Sequence, residues 1–190
     1  MNEDEQDVGM PADAEKRQAT RRWTIYFPLI VLALLALALS YGGDHELVGE
    51  EAPGFYLPRL DDPDELVALS AHLGTDVVVL DFWATWCPPC REGLPILDSI
   101  AQAYADEDVA FYAINIQEPA ETVRNFVEQF NLGLTVLMDD YREIARDYEV
   151  SNIPMTVIID KEGKIRDAHI GVGMGFRRSI ENKLDTLLAE

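Results

Sequence analysis

The sequence predicts an α/β fold, a mixed central sheet flanked by helices, with a small N-terminal hairpin and one transmembrane helix ahead of the domain. Three observations carry this. From Val77 onward, short apolar runs rich in β-branched residues alternate with segments of helical spacing, and a hairpin and helix close the chain. An uncharged run covers residues 23–43. Both cysteines sit at a strand-to-helix junction, in Trp86-Cys87-Pro88-Pro89-Cys90.

Residues 1–22 begin polar and acidic and read as a disordered cytoplasmic tail. Residues 23–41 form an apolar stretch of about 28 Å at 1.5 Å per helical residue, enough to span a bilayer. Trp23 and Tyr26 at one end and Tyr41 at the other suit the two interfaces. Lys16, Arg17, Arg21 and Arg22 precede the span, and the next basic residue is Arg59. The positive-inside rule therefore puts the N-terminus in the cytoplasm and the rest outside it, on a single-pass cell-membrane protein. Ala36-Leu37-Ala38 resembles a signal-peptidase site, but the run is longer than a signal core and 22 residues precede it, so an uncleaved anchor is favoured.

Residues 42–51 read as a linker, with the folded domain over 52–190. Phe55–Leu57 and Leu66–Leu69, separated by Asp61-Asp62-Pro63-Asp64, predict the hairpin. Val77–Phe82 predicts a central strand and Leu94, Leu97, Ile100, Ala101 and Tyr104 a helix to about Ala105. Val109–Ile114 predicts a second buried strand. Pro119 opens a helix whose Val123, Phe126, Val127 and Phe130 share one face, with Gly133 as its cap. Leu134–Met138 predicts a strand, Tyr141, Ile144, Ala145 and Tyr148 a short helix, and Met155–Ile159 a strand. Asp160-Lys161-Glu162-Gly163 predicts a turn into Lys164–Ile170, and Phe176, Ile180, Leu184, Leu187 and Leu188 the last helix.

A C-x-x-C at a helix start is a redox signature. The orphan N–H groups and positive dipole end there favour thiolate at Cys87, and Cys90 is near enough to resolve a mixed disulfide. A structural zinc site would need two more ligands, and His45, His72 and His169 have no ligand-like spacing; each reads as a surface residue. A purely structural disulfide also competes, though this junction is an awkward place for a staple. No metal and no cofactor beyond a redox-active Cys87–Cys90 disulfide is expected. The chain's net charge is −20, and 29 of 35 acidic but 11 of 15 basic residues fall from Asp44 onward, which argues against nucleic acid as a partner. Only four basic residues are lysine, as would suit a high-salt exterior, although a merely acidic soluble domain has the same composition.

From Glu51 to Glu190 the chain resembles the membrane-anchored thiol–disulfide oxidoreductases of the TlpA/ResA type. The resemblance rests on Asp81-Phe82-Trp83-Ala84-Thr85-Trp86-Cys87-Pro88-Pro89-Cys90-Arg91, on Val150-Ser151-Asn152-Ile153-Pro154-Met155-Thr156, and more weakly on Glu51–Phe55, Leu69–Gly74 and the Asp160–Gly163 turn. It implies a thioredoxin-like fold in which Gln117–Met138 is a helix-plus-strand insert. It implies disulfide exchange outside the cytoplasm, usually reducing, often on apocytochrome thiols during cytochrome c maturation. Client proteins with disulfides or CxxC thiols and an electron-donating membrane thiol reductase would be the partners. It also implies a cis Ile153–Pro154 bond beside the sulfurs, with Trp86, Pro88, Ile153 and Pro154 meeting the client; Met155, next to that proline, reads as a further client contact, with core packing as the alternative. Trp83 and Trp86 would shield the sulfurs.

One departure is informative. The family commonly has an acid three positions after the second cysteine, where this chain has Gly93, with Glu92 one position earlier. A one-residue shift turns a helical side chain by about 100°, so Glu92 is expected to face solvent. Asp81 instead occupies the strand position of thioredoxin's buried aspartate and is the candidate acceptor of the Cys90 proton; a hydrogen-bonded structural role is the alternative. An oxidase or isomerase on the same fold, or a non-enzymatic copper-handling or client-binding module, are the competing functions. No Met-rich or His-rich cluster adjoins the cysteines to support copper. A peroxidase would need a peroxidatic cysteine in another setting.

Overall fold

In the computed structural model, described over residues 31–32 and 46–190, a five-stranded mixed sheet is built around one wholly buried strand. That strand, β3 (Val77–Trp83), carries seven buried residues in succession. β1 (Tyr56–Pro58) and β2 (Leu66–Ala68) form the expected antiparallel hairpin and a separate small sheet. β4 (Val109–Ile116), β5 (Thr135–Asp139), β6 (Met155–Ile159) and β7 (Ile165–Ile170) complete the main sheet in the order β5-β4-β3-β6-β7. β3, β4 and β5 run parallel, and β6 and β7 are antiparallel to their neighbours. The parallel connections pass through α1 (Pro88–Ala103) and α2 (Ala120–Phe130). The short α3 (Glu143–Asp147) precedes β6, and α4 (Phe176–Leu188) ends the domain.

The β-branched run of β3 is apolar on both faces because both faces are covered. Leu94, Leu97 and Ile100 of α1 are buried, as are Ile180, Leu184 and Leu187 of α4 and Val123 and Phe126 of α2. Trp83 at the end of β3 stacks on Phe126 with ring centroids 5.2 Å apart, and Phe126 stacks on Phe130 at 4.4 Å. The Arg91 guanidinium lies 5.5 Å from the Phe130 ring centroid and 6.0 Å from that of Phe126, joining α1 to α2. The helix–strand insert is thus α2 with β5, and β5 is an edge of the sheet.

Two boundaries differ from the sequence reading. The cap of α2 is Asn131, in the left-handed region at φ 49°, and not Gly133. Asn tolerates that conformation, and the Gly133 N–H is instead held by the buried carboxylate of Asp98 at 2.8 Å. The ordered domain also begins earlier than Ala52. Leu47 and Val48 pack on the core, Gly49 N–H donates to Ile165 O at 2.7 Å, and Ile165 N–H donates to Glu50 O at 3.0 Å. The entering chain therefore pairs briefly with the β7 edge. It then passes Tyr148, whose hydroxyl donates to Pro53 O at 2.7 Å, and reaches the β5 edge, where Leu60 N–H donates to Val136 O at 2.9 Å. Both edges of the sheet are covered in part by one segment.

The tail over 1–22 and the transmembrane segment over 23–41 lie outside the described residues, apart from Val31 and Leu32, which are helical. Among the described residues, no helix is long and apolar enough to cross a membrane.

Candidate active site

Cys87 is the N-cap of α1, and Pro88 and Pro89 occupy its first two positions. Prolines carry no N–H, so the first free backbone donor of the helix is that of Cys90. That N–H points at the Cys87 sulfur, 3.3 Å away. The sequence thus places one amide donor and the positive end of a 16-residue helix against a single sulfur. The two cysteines are joined as a disulfide, and both residues are buried, Cys87 at 2% and Cys90 at 0% exposure.

The Ile153–Pro154 peptide is cis. Ile153 O lies 3.6 Å from Cys87 Sγ. In the disulfide that sulfur has no proton and this is a contact; in the dithiol the S–H can donate to the carbonyl. Trp86 and Pro88 are exposed beside the sulfurs and Ile153 is half-buried, so these three are available to a client. Pro154 is buried, and its carbonyl accepts from Gly171 N–H at 2.8 Å. Met155 requires correction. As the first residue of β6 it is fully enclosed, set between Phe82 on β3 and Ile170 on β7, and its side chain belongs to the core. Trp83 is likewise a core residue, fully buried, with no hydrogen-bond partner at Nε1.

Asp81 sits in the middle of β3, 2% exposed, directly across from Thr156, whose hydroxyl donates to Oδ1 at 2.8 Å. Burial pushes its carboxyl up to about 7, against the smaller opposing effect of that hydrogen bond. Glu92 is exposed, as the helical rotation predicts. Gly93 faces inward, and a Cβ there would come within 2.7 Å of Val172 Cγ2. An acidic side chain in the usual family position would have to displace the Val172 side chain, on the loop after β7.

The sequence reading missed Glu118. It lies just past β4, after Gln117 in the left-handed region at φ 55°. Its buried carboxylate accepts from Thr85 N–H at 2.6 Å, from the Thr85 hydroxyl, and from Asn115 Nδ2 at 2.8 Å. It thereby ties the loop that presents Trp86 and Cys87 to the end of β4. The available signal was a polar pair, Asn115 and Glu118, closing an otherwise apolar strand. His72, read as a surface residue, is half-buried, bridging Asp76 Oδ2 at 2.7 Å and the Tyr112 hydroxyl at 2.8 Å. Among the described residues, no group of three or more His, Cys, Asp or Glu is arranged to hold a metal ion.

The Asp81 shift has a sign that can be tested. The native carboxyl binds its proton more tightly than the unfolded one at 3.8. Between about pH 4 and pH 7 the native state therefore holds the extra proton, and stability falls as pH rises, then levels off above about 7. Asp81→Asn in the disulfide form should flatten this decline and be the more stable protein above pH 7, by an amount of the order of a few kcal/mol at most. Urea unfolding from pH 4 to pH 8 measures it; a wild-type decline retained in the variant assigns it to another group.

A family model described as the AhpC/TSA family matches residues 48–168. The thioredoxin-like protein YneN of Bacillus subtilis is 36% identical over 140 residues, covering 72% of this chain and 78% of YneN. The thiol-disulfide oxidoreductase ResA of Halalkalibacterium halodurans is 30% identical over 159 residues, covering 80% and 89%. Among solved structures, a Chlorobium tepidum protein assigned as the thiol:disulfide interchange protein DsbE superposes with a TM-score of 0.68 at 30% identity, covering 74% of this chain and 97% of that one.

Proposed function

Because the chain belongs to the thioredoxin-like AhpC/TSA family and is a thiol–disulfide oxidoreductase, we propose that it works outside the cytoplasm, held by its 23–41 segment, and reduces disulfides of client proteins. The observation that supports this best is the single amide donor aimed at Cys87 Sγ where that sulfur meets Ile153 O. In the dithiol, the helix end and the Cys90 N–H favour the Cys87 thiolate as the attacking species. The thiolate attacks one sulfur of the client disulfide, and the other client sulfur leaves as thiolate. Cys90 then gives up its proton and attacks Cys87 Sγ, which forms the internal disulfide and releases the second client thiol.

Asp81 is the proposed acceptor of the Cys90 proton. A carboxyl that titrates near 7 is a base matched to neutral pH. Apocytochrome thiols in cytochrome c maturation are one client class in keeping with the ResA-type relatives, and a membrane thiol reductase would restore the dithiol. Since potential and partners set the direction, the reduction potential of the pair discriminates: about −270 mV suits a reductant and about −120 mV an oxidant.

Cys90→Ser should accumulate mixed disulfides with clients through Cys87, and Cys87→Ser should accumulate none. Equal trapping by both would overturn the assignment of roles. In stopped-flow reduction of a disulfide client, Asp81→Asn should slow release of the second thiol by about tenfold or more while leaving the first attack nearly intact. General-base help is worth about 10²–10⁴-fold, and water can recover part of it. An unchanged resolution rate in Asp81→Asn removes Asp81 from the mechanism. For topology, a reporter enzyme active only outside the cytoplasm, fused after Glu190, should be active; activity of a cytoplasm-only reporter there would sink the proposal.

A further inference from the structure

Beside the sulfurs lies a cavity of about 380 Å3, walled by Trp86 and Ile153 and, beyond them, by Gln117, Arg142, Ser151 and Asn152. Two of its lining residues adjoin the redox site: Trp86 precedes Cys87 in the chain, and Ile153 O lies 3.6 Å from Cys87 Sγ. Arg142 is the only charged residue in its lining.

Arg142 is held in an unusual way. Its backbone is in the left-handed region at φ 56°, at the start of α3. Nη2 donates to Val150 O at 3.0 Å, which fastens the side chain to the segment leading into Ser151 and Asn152. Nε is buried and has no hydrogen-bond partner. Among the described residues, Arg142 has no carboxylate partner; Arg91, Arg124, Arg146 and Arg178 also lack one, but Arg142 alone of these lines the cavity. In a chain of net charge −20 this is a cation left unneutralised beside the attacking sulfur. Glu118, next to Gln117, is already committed to Thr85 and Asn115. A guanidinium fixed at one nitrogen with donors to spare is a receptor for a planar anion.

We infer that Arg142 is a specificity-determining residue that reads a carboxylate on the client, an Asp or Glu within two residues of the cysteine held by Cys87. This rests on the reading of Cys87 as the exchanging sulfur. Two residues of extended chain span about 7 Å, which sets how far from the held sulfur the acid can reach. An acid there can pair with the guanidinium's remaining Nη donors, and a lysine meets like charge, so the same residue both selects and rejects. The acidic surface repels such a client at long range, so the selection acts on register at the sulfur and not on encounter.

The test uses the full chain carrying Cys90→Ser, with Cys87 in mixed disulfide with 2-mercaptoethanol. Single-cysteine peptides bear Glu, Gln or Lys at one of the two positions on either side of the cysteine. The peptide thiolate attacks Cys87 Sγ, and mercaptoethanol leaves as thiolate, so each exchange constant is read directly. At one position the Glu peptide should exceed the Lys peptide by about tenfold. Adding Arg142→Lys should keep the direction of that ratio but reduce it, Arg142→Gln should bring it near one, and Arg142→Glu should invert it. Ratios within one variant cancel any loss of folded protein, and unfolding cannot produce an inversion. A ratio near one at every position with Arg142 intact, or a Glu preference unchanged in Arg142→Gln, overturns the inference. If no peptide displaces mercaptoethanol, the reading of Cys87 fails and the inference falls with it.

Discussion

The complete burial of β3 is the constraint on which the site depends. A strand buried on both faces needs a covering layer on each, and here it lies mid-sheet with a parallel neighbour on one side and an antiparallel one on the other. Its end fixes where α1 begins, and so where the Cys87 sulfur is capped. Its register with β6 sets Asp81 opposite Thr156 and Phe82 opposite Met155. One residue further along β6's approach, Pro154 leads back to Ile153 and the carbonyl beside the sulfur. A one-residue slip of β3 would turn Asp81 to the other face and move the whole set.

Buried carboxylates in this domain fall into two kinds. Asp139 accepts from the N–H groups of Glu143 and Ala145, Asp98 from that of Gly133, and Asp160 from that of Lys164. Glu118 takes one backbone and two side-chain donors. These acids are used as fixed acceptors that pin loops to the sheet. Asp81 has only the Thr156 hydroxyl, and burial wins. A carboxylate with so little compensation is costly to hold unless its proton is put to use. That contrast within one chain, more than burial alone, separates Asp81 from its structural neighbours.

Much of this was legible in the sequence because the decisive signals are local. A β-branched run, a C-x-x-C and a helical period specify a strand, a capped sulfur and a helix without reference to anything distant. The same locality explains what was not legible. Whether Met155 faces a client or the core depends on β7 passing outside it, and the enclosure of Trp83 depends on Phe126, 43 residues later. Glu118 and Thr85 are 33 residues apart and meet only once β3 and β4 pair. Asn131 outcompeted Gly133 as a cap because Asp98, on another helix, claims the glycine's N–H. The chain before Ala52 lacks any period, yet backbone pairing with Ile165 orders it.

The missing acid after the second cysteine has a physical account that the sequence withheld. Gly93 is there because Val172 occupies the space a side chain would need, at 2.7 Å from a Cβ. Val172 belongs to the glycine-rich loop Gly171–Gly175, whose first N–H is bonded to Pro154 O. The start of the loop is thus bonded to the proline beside the sulfurs through Gly171 and, one residue on, lies against the helix that carries them through Val172. A carboxylate at 93 would have to displace that packing and then sit buried against an apolar side chain, without the donors that satisfy Glu118 or Asp98. Close packing of the loop and an acid on the helix are alternatives here, and this chain has taken the packing. Among the described buried carboxyls, Asp81 is the one held by a single hydroxyl, and the proposal that acid–base help comes from the strand and not from the helix rests on that contrast.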